Sequence, residues 1–231
     1  KHLQGIDLPD VPLWAIWAIQ RYSHDTDVPT ARKRYGKLVA ALVDFIIDGK
    51  HPHLQLHDNG LVATDGTKQP MSWMDASKPD GTPMIPRTGY LVEFNALWYN
   101  ALMFLIQMYA DDKRMASKVA RWTKISEAYA ASFAPTFLND YGYLYDYVNG
   151  TYTDLSVRPN MVVAVGVDHT PLDRRQRKRI LDIITRELLT PKGLRTLSPK
   201  SYAYRPFYEG DMYEREETLH KGPARPWLMG F

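Results

Sequence analysis

The stretch from Met71 to Leu102, MSWMDASKPDGTPMIPRTGYLVEFNALWYNAL, holds both a polar constellation and the scaffold under it. Its first half is turn-rich: Ser72-Trp73-Met74-Asp75-Ala76, then Pro79-Asp80-Gly81, Pro83 and Pro86-Arg87. Its second half, Glu93-Phe94-Asn95, runs into Ala96 to Ile106, an apolar segment interrupted by Asn100. A run that long and that apolar predicts a helix buried nearly all round. An acid beside an aromatic, an arginine in a loop and a second acid entering a buried helix set a polar pocket into an apolar scaffold. Pockets of that kind suit polyhydroxylated ligands such as sugars.

Working outward, the pattern is helix after helix. Leu8-Pro9-Asp10-Val11-Pro12 reads as a helix entrance with Asp10 as the cap and proline in the first turn. Leu13 to Tyr22 has little polar face and predicts a well-buried helix. Thr30 to Asp48 places Leu38, Leu42 and Phe45 beside Val39, Val43 and Ile46 at amphipathic spacing, and Gly49 stops it. His51 to Gly66 is a polar loop with Leu61-Val62-Ala63 as a short strand. His51, His53, His57 and Asp58 gather there. Their spacing matches no dedicated metal motif, so a solvated loop is the preferred reading over a metal site.

Downstream, Asp111-Asp112 break the buried helix. Lys113 to Phe133 resumes with Val119, Trp122, Ile125, Tyr129 and Phe133 on one face, and Pro135 ends it. Asn139 to Asp154 is a loop rich in tyrosine and glycine. Met161 to Val167 is β-branched, which by propensity means strand, with a buried helix as the alternative. Thr170-Pro171-Leu172-Asp173 predicts a helix start capped by Thr170, and Leu172 to Leu189 is amphipathic. The helices pair near 11–24/29–49, 92–110/112–134 and 160–168/172–190. This predicts an all-α stack of helical hairpins whose loops gather at one end and carry function. Trp227-Leu228-Met229 reads as the start of one more helix, so truncation is expected at the C-terminal end.

The totals narrow the function. The chain has 231 residues, 45% hydrophobic and 24% charged, the balance of an ordinary globular protein. The absence of cysteine excludes disulfides, thiol catalysis and thiolate metal sites, and fits a cytoplasmic location. Net charge is +3, and the basic clusters Arg32-Lys33-Arg34 and Arg174 to Arg179 fall on amphipathic helices, so nucleic acid is not an expected partner. No run is apolar enough for a membrane span. Aromatics make up 12% of the chain, which core packing mostly explains and sugar stacking would also use.

Several blocks, in order, resemble the amylo-1,6-glucosidase domain of glycogen debranching enzymes. They are Ser72 to Ala76, Pro86-Arg87-Thr88-Gly89, Val92 to Leu102, Leu144-Tyr145-Asp146, Arg158-Pro159-Asn160, Thr190 to Leu197, and Tyr204-Arg205-Pro206 with Tyr208 to Asp211. The resemblance implies an (α/α)6 toroid, of which the readable helices supply about half, and it extends the expectation to residues 1–231 as one domain truncated at both ends. It implies hydrolysis of α-1,6-linked glucose in a branched α-glucan, glycogen or limit dextrin, with no metal and no organic cofactor.

Glycosidases of the inverting kind hold two carboxyl groups about 6.5–9.5 Å apart, one acid and one base with a water between. The resemblance makes Asp75 the general acid, and a carboxyl beside Trp73 in a partly apolar cleft is expected to have a raised pKa. From the residues alone, Asp75 as a cap is an equal reading. The resemblance puts the general base near the end of the domain, beyond Phe231. Arg87 can fork onto a sugar or form a structural ion pair. Glu93 binds sugar hydroxyls, holds Arg87, or serves as a helix N-terminal acid. Trp73 can stack on glucose, Asp146 can line the pocket or stabilise a turn, and His220 in Leu-His-Lys-Gly resembles the family's His-x-Gly motif. Gly222-Pro223-Ala224-Arg225 departs from that pattern. The competing classes are another glycosidase on the same toroid, a non-catalytic carbohydrate-binding or scaffolding fragment, and a helical-repeat interaction protein.

Overall fold

A computed structural model describes residues 8–226. Helix α3 (Val92–Tyr109) is its centre, and α1 (Asp10–Asp25), α2 (Val28–Ile47), α4 (Ala116–Phe137) and α5 (Met161–Gly166) all pack on it. The reason lies in its composition: Val92, Phe94, Leu97, Trp98, Leu102 and Leu105 are at most 1% exposed on different sides of the same helix. The polar groups it carries inward are matched. Asn95 donates to the carbonyls of Val62 and Leu91 and accepts from Val62 N–H, and Trp98 Nε1 donates to the Gly60 carbonyl. Asn100 donates to Gln20 Oε1 and accepts from His169 N–H. Buried polar groups persist in a core on these terms.

The three expected hairpins are present as α1/α2, α3/α4 and α5/α6 (Arg174–Glu187), and a short α7 (Met212–Thr218) follows. The scaffold is helical, but the loops hold something an all-α reading omits. Three small antiparallel sheets form: β1 (Gln55–Leu56) with β2 (Val62–Ala63); β3 (Tyr90–Leu91), β4 (Tyr147–Asn149) and β5 (Tyr152–Thr153); and β6 (Leu189–Thr190), β7 (Gly193–Arg195) and β8 (Ala224–Arg225). Strands of two or three residues leave too few alternations to be seen as a period-two pattern. The second sheet matters most for position. Leu91 pairs with Tyr147, and Val92 N–H donates to the Asp146 carbonyl at 3.1 Å, so Asp146 is delivered to the N-terminal end of α3.

Several local expectations need correction. Asp10 is the first residue of α1, not its cap; Pro9 precedes it and gives no side-chain cap. Pro135 does not end α4, which continues to Phe137. Phe133 and Phe137 are both fully buried one turn apart. Their burial is worth about 1.5–3 kcal/mol each, more than the about 0.5–1.5 kcal/mol of the one hydrogen bond proline forfeits. Of the two readings of the β-branched run, the buried helix of the hairpin pairing is the one formed, over residues 161–166, because they pack between α3 and α6. Thr170 is not the cap of α6. Its hydroxyl accepts from Leu172 N–H, and Asp173 caps instead, in a reciprocal box with Gln176. Gly49 does stop α2, with φ +65°. The segment Trp227-Leu228-Met229 lies outside the described residues.

Asp173→Ala removes the acceptor of the Gln176 N–H and should cost about 1 kcal/mol. A thermal melt followed by circular dichroism should show a fall of roughly 2–4 °C. An unchanged melt would mean that the α6 N-terminus frays without consequence.

Candidate active site

Arg87 is the keystone. The loop from Met71 to Pro86 ends on it, and Gly66 lets the loop after β2 press against it: a Cβ on Gly66 would stand 2.0 Å from the Arg87 carbonyl oxygen. All of the guanidinium's donors are used. Nε donates to Asp146 Oδ2 at 2.7 Å, Nη1 to Glu93 Oε1 and Ser72 Oγ, and Nη2 to Glu93 Oε2 at 2.8 Å and to Asp146. The side chains of Arg87, Glu93 and Asp146 are 2%, 1% and 1% exposed. Burial alone would push the guanidinium pKa down; the carboxylates of Asp146 and Glu93 reverse that and hold it above its ordinary value. The ion-paired alternative for Arg87 and Glu93 is therefore the one observed. Sugar cannot reach these three groups while they stay in this arrangement.

The cluster extends from Asp146. Asn160, at the start of α5, donates to Asp146 Oδ1 at 2.6 Å and accepts from Trp73 Nε1 at 2.8 Å. Arg158 lies 3.8 Å from Asp146 Oδ2 and donates to the carbonyls of Thr196 and His220. Its burial lowers its pKa, and the Asp146 carboxylate opposes that. The His220 ring meets the Trp73 ring edge to face, centroids 5.2 Å apart at 89°. Trp73 is thus gripped by Asn160 at its indole nitrogen and by His220 at its ring. All six residues singled out in the sequence, Trp73, Asp75, Arg87, Glu93, Asp146 and His220, fall in one connected assembly.

Asp75 is the exposed member, with its side chain 72% accessible and Oδ1 3.5 Å from His220 Nε2. Its loop is pinned just beyond it. Ala76 N lies 3.4 Å from His220 Nε2, and Ser77 N–H donates to Glu216 Oε2 on α7 at 3.2 Å. The expected upward pKa shift is not what the site produces. The hydrogen bond from His220 favours the carboxylate and outweighs partial burial, holding Asp75 below its usual range. His220 itself is 3% exposed, and burial pushes its pKa down against the pull of Asp75.

Sequence reasoning missed several participants, Arg158 and Glu216 among them. Ser72 and Asn160 carry no signal beyond their places in the quoted blocks. Asp10 was read as a cap, yet it is 6% exposed and accepts hydrogen bonds from the Trp14 side chain and the Trp73 backbone. Burial, then the charge of Glu93, raises its pKa from 3.8 to about 6. The sign follows from proton binding. The folded state holds this proton more tightly than the unfolded one, so stability is lost as pH rises from about 4 through about 6. The rise corresponds to about 3 kcal/mol. Asp10→Asn, which keeps an acceptor and drops the charge, should be more stable than the parent by about 2–3 kcal/mol at pH 7. Urea unfolding should show that advantage vanish below pH 4. An advantage of equal size at both pH values would sink the explanation.

The histidine-rich loop forms something separate. A cleft of about 920 Å³ is lined by His51, His53, His57, Thr88, Tyr90 and Asn149, and it does not include Asp75. His57 Nδ1 pairs with the Tyr90 hydroxyl at 2.6 Å. Among the described residues, no group of three or more His, Cys, Asp or Glu side chains has a metal-holding arrangement, and no helix is long and apolar enough to cross a membrane.

Comparison with known proteins gives two findings. A family model described as amylo-alpha-1,6-glucosidase matches residues 6–231. A glycogen debranching enzyme of Saccharomyces cerevisiae is 24% identical over 232 residues, which covers 82% of this chain and 15% of the yeast protein. The chain therefore spans under a sixth of that relative's length.

Proposed function

Because this chain belongs to the amylo-α-1,6-glucosidase family, we propose that it carries the acid side of a debranching glycosidase. The substrate is a branched α-glucan, and the reaction is hydrolysis of an α-1,6-linked glucose at a branch point. The observation that supports this best is Asp75: an accessible carboxyl on a loop pinned from both sides, above a buried ionic hub that fixes Trp73 beside it. In the inverting mechanism, protonated Asp75 gives its proton to the glycosidic oxygen as the C–O bond breaks, and a water adds to the anomeric carbon from the opposite face. A second carboxylate takes the water's proton. Glu93 is closed off against Arg87, and the Glu214 carboxylate accepts from Asp211 N–H in the capping box of α7, so neither is assigned that role. The proposed scaffold is an (α/α)6 toroid to which α1/α2, α3/α4 and α5/α6 contribute hairpins. Arg87, Glu93 and Asp146 then act as the foundation of the subsite, and Trp73, backed by the buried His220 ring, forms its wall.

The test is glucose release from a branched limit dextrin by the protein at its natural length, with the first-formed anomer read by proton NMR. Release of β-glucose is expected. One observation favours a second reading, a carbohydrate-binding module without turnover: an acid held ionised in the free protein is a poor proton donor. Tight binding of limit dextrin with no glucose released, by a folded protein, would select that reading.

A further inference from the structure

His220 makes two demands on one atom. Its Nε2 lies 3.5 Å from Asp75 Oδ1 and 3.4 Å from Ala76 N, whose hydrogen points at it. Its Nδ1 is buried with no hydrogen-bond partner. The ring packs edge-on against Trp73, and the backbone carbonyl of the same residue is held by Arg158 Nη1 at 2.7 Å. A neutral imidazole has one N–H and one lone pair, so Nε2 either donates or accepts. An ionised Asp75 calls for a donor there. Ala76 N–H calls for an acceptor, and a protonated Asp75 would call for one too. The remaining charged groups that face the ring, Arg225 and Arg158, both disfavour an imidazolium.

We propose that His220 is a positioning residue whose tautomer follows the protonation of Asp75: Nε2–H beside the carboxylate, Nδ1–H beside the carboxylic acid. The inference rests on the reading of Asp75 as the general acid. The proton balance is simple. Asp75, whose side chain is 72% exposed, takes its proton from solvent, the ring exchanges its Nε2 hydrogen for one at Nδ1, and the ring is neutral before and after. Each state then satisfies Nε2, the first through Asp75, the second through Ala76 N–H and the Asp75 O–H together. The partnerless Nδ1 is the atom whose hydrogen comes and goes. A neighbour that can switch from donor to acceptor holds Asp75 in place in both of its protonation states, which a fixed donor would not.

Histidine ¹⁵N NMR at pH 7 tests it, since the two tautomers have opposite patterns of ring-nitrogen shifts. The His220 signals are assigned by their loss in His220→Gln. The parent should be predominantly Nε2–H. Asp75→Ala should move His220 to predominantly Nδ1–H, a change of at least about tenfold in the tautomer ratio, because Ala76 N–H is then the undisputed partner, and Asp75→Asn should move it the same way, because its amide can present an N–H to Nε2. Asp75 is exposed, so neither change should disturb the fold. The same tautomer in all three proteins, or an imidazolium in the parent at pH 7, would overturn the proposal. The underlying reading fails separately: Asp75→Asn that still hydrolyses limit dextrin removes Asp75 from catalysis while leaving the tautomer result standing.

Discussion

Arg87→Met should be the most destabilising of the substitutions considered, costing about 3–5 kcal/mol and lowering the melting temperature by roughly 6–20 °C for a chain of this size. The size comes from what is left behind. Glu93 and Asp146 are 1% exposed, and between them they take most of the guanidinium's hydrogen bonds. Without Arg87, the cation remaining beside Asp146 is Arg158, at 3.8 Å and with its Nη1 committed to two carbonyls. Two carboxylates would then share a core with too little positive charge, and the penalty is their desolvation rather than the lost bonds. Arg87→Lys should fall between, since an ammonium keeps the charge and loses the fork. The companion experiment separates stability from purpose. Removing the whole set as Arg87→Met, Glu93→Leu and Asp146→Asn should recover much of the loss, because a buried ion cluster is seldom worth more than its apolar substitute. Differential scanning calorimetry reads all three proteins. A single mutant within about 2 °C of the parent would mean that water reaches the cluster and that it is no foundation.

That cluster also shows where sequence stops being informative. Helix α3 was legible because its signal is local: eleven consecutive positions with one amide among them cannot face water. The Asp75 loop was legible as a constellation because Trp73, Asp75, Arg87 and Glu93 lie within 21 positions of one another in the chain. What joins them was not. Trp73 is tied to Asn160 across 87 residues and Ala76 to His220 across 144. No spacing rule connects such pairs without knowing how the hairpins pack. Asp10 failed for a related reason. An acid at a helix start is locally a cap, and only the arrival of Trp73 and Glu93 from other elements makes it a buried carboxyl that titrates near 6. Met161 to Val167 was legible only as two alternatives, since propensity favoured a strand and the hairpin pairing a buried helix, and packing between α3 and α6 decides for the helix.

Asp75→Asn should reduce kcat for limit dextrin by about 10²–10⁴-fold and leave KM within about threefold, because the proton is needed in the transition state and the carboxyl's shape is kept. Loss of rate alone would not prove the role, so the leaving group is the discriminating variable. A glucosyl fluoride departs as fluoride and needs far less protonation than a sugar alkoxide. On that substrate, the asparagine variant should fall by less than about tenfold. Equal losses on both substrates would show that Asp75 binds or orients rather than donates. The pH dependence follows from the same geometry. In the free protein, His220 holds Asp75 below its usual range, so the protonated fraction near neutrality is small. A bound glucan would cover a carboxyl that is now 72% exposed, and loss of water disfavours its charge. The alkaline limb of kcat, which reports the complex, should therefore lie at higher pH than the alkaline limb of kcat/KM, which reports the free protein. Coincident limbs would mean that substrate does not change the surroundings of Asp75, and the acid would then have to be sought elsewhere.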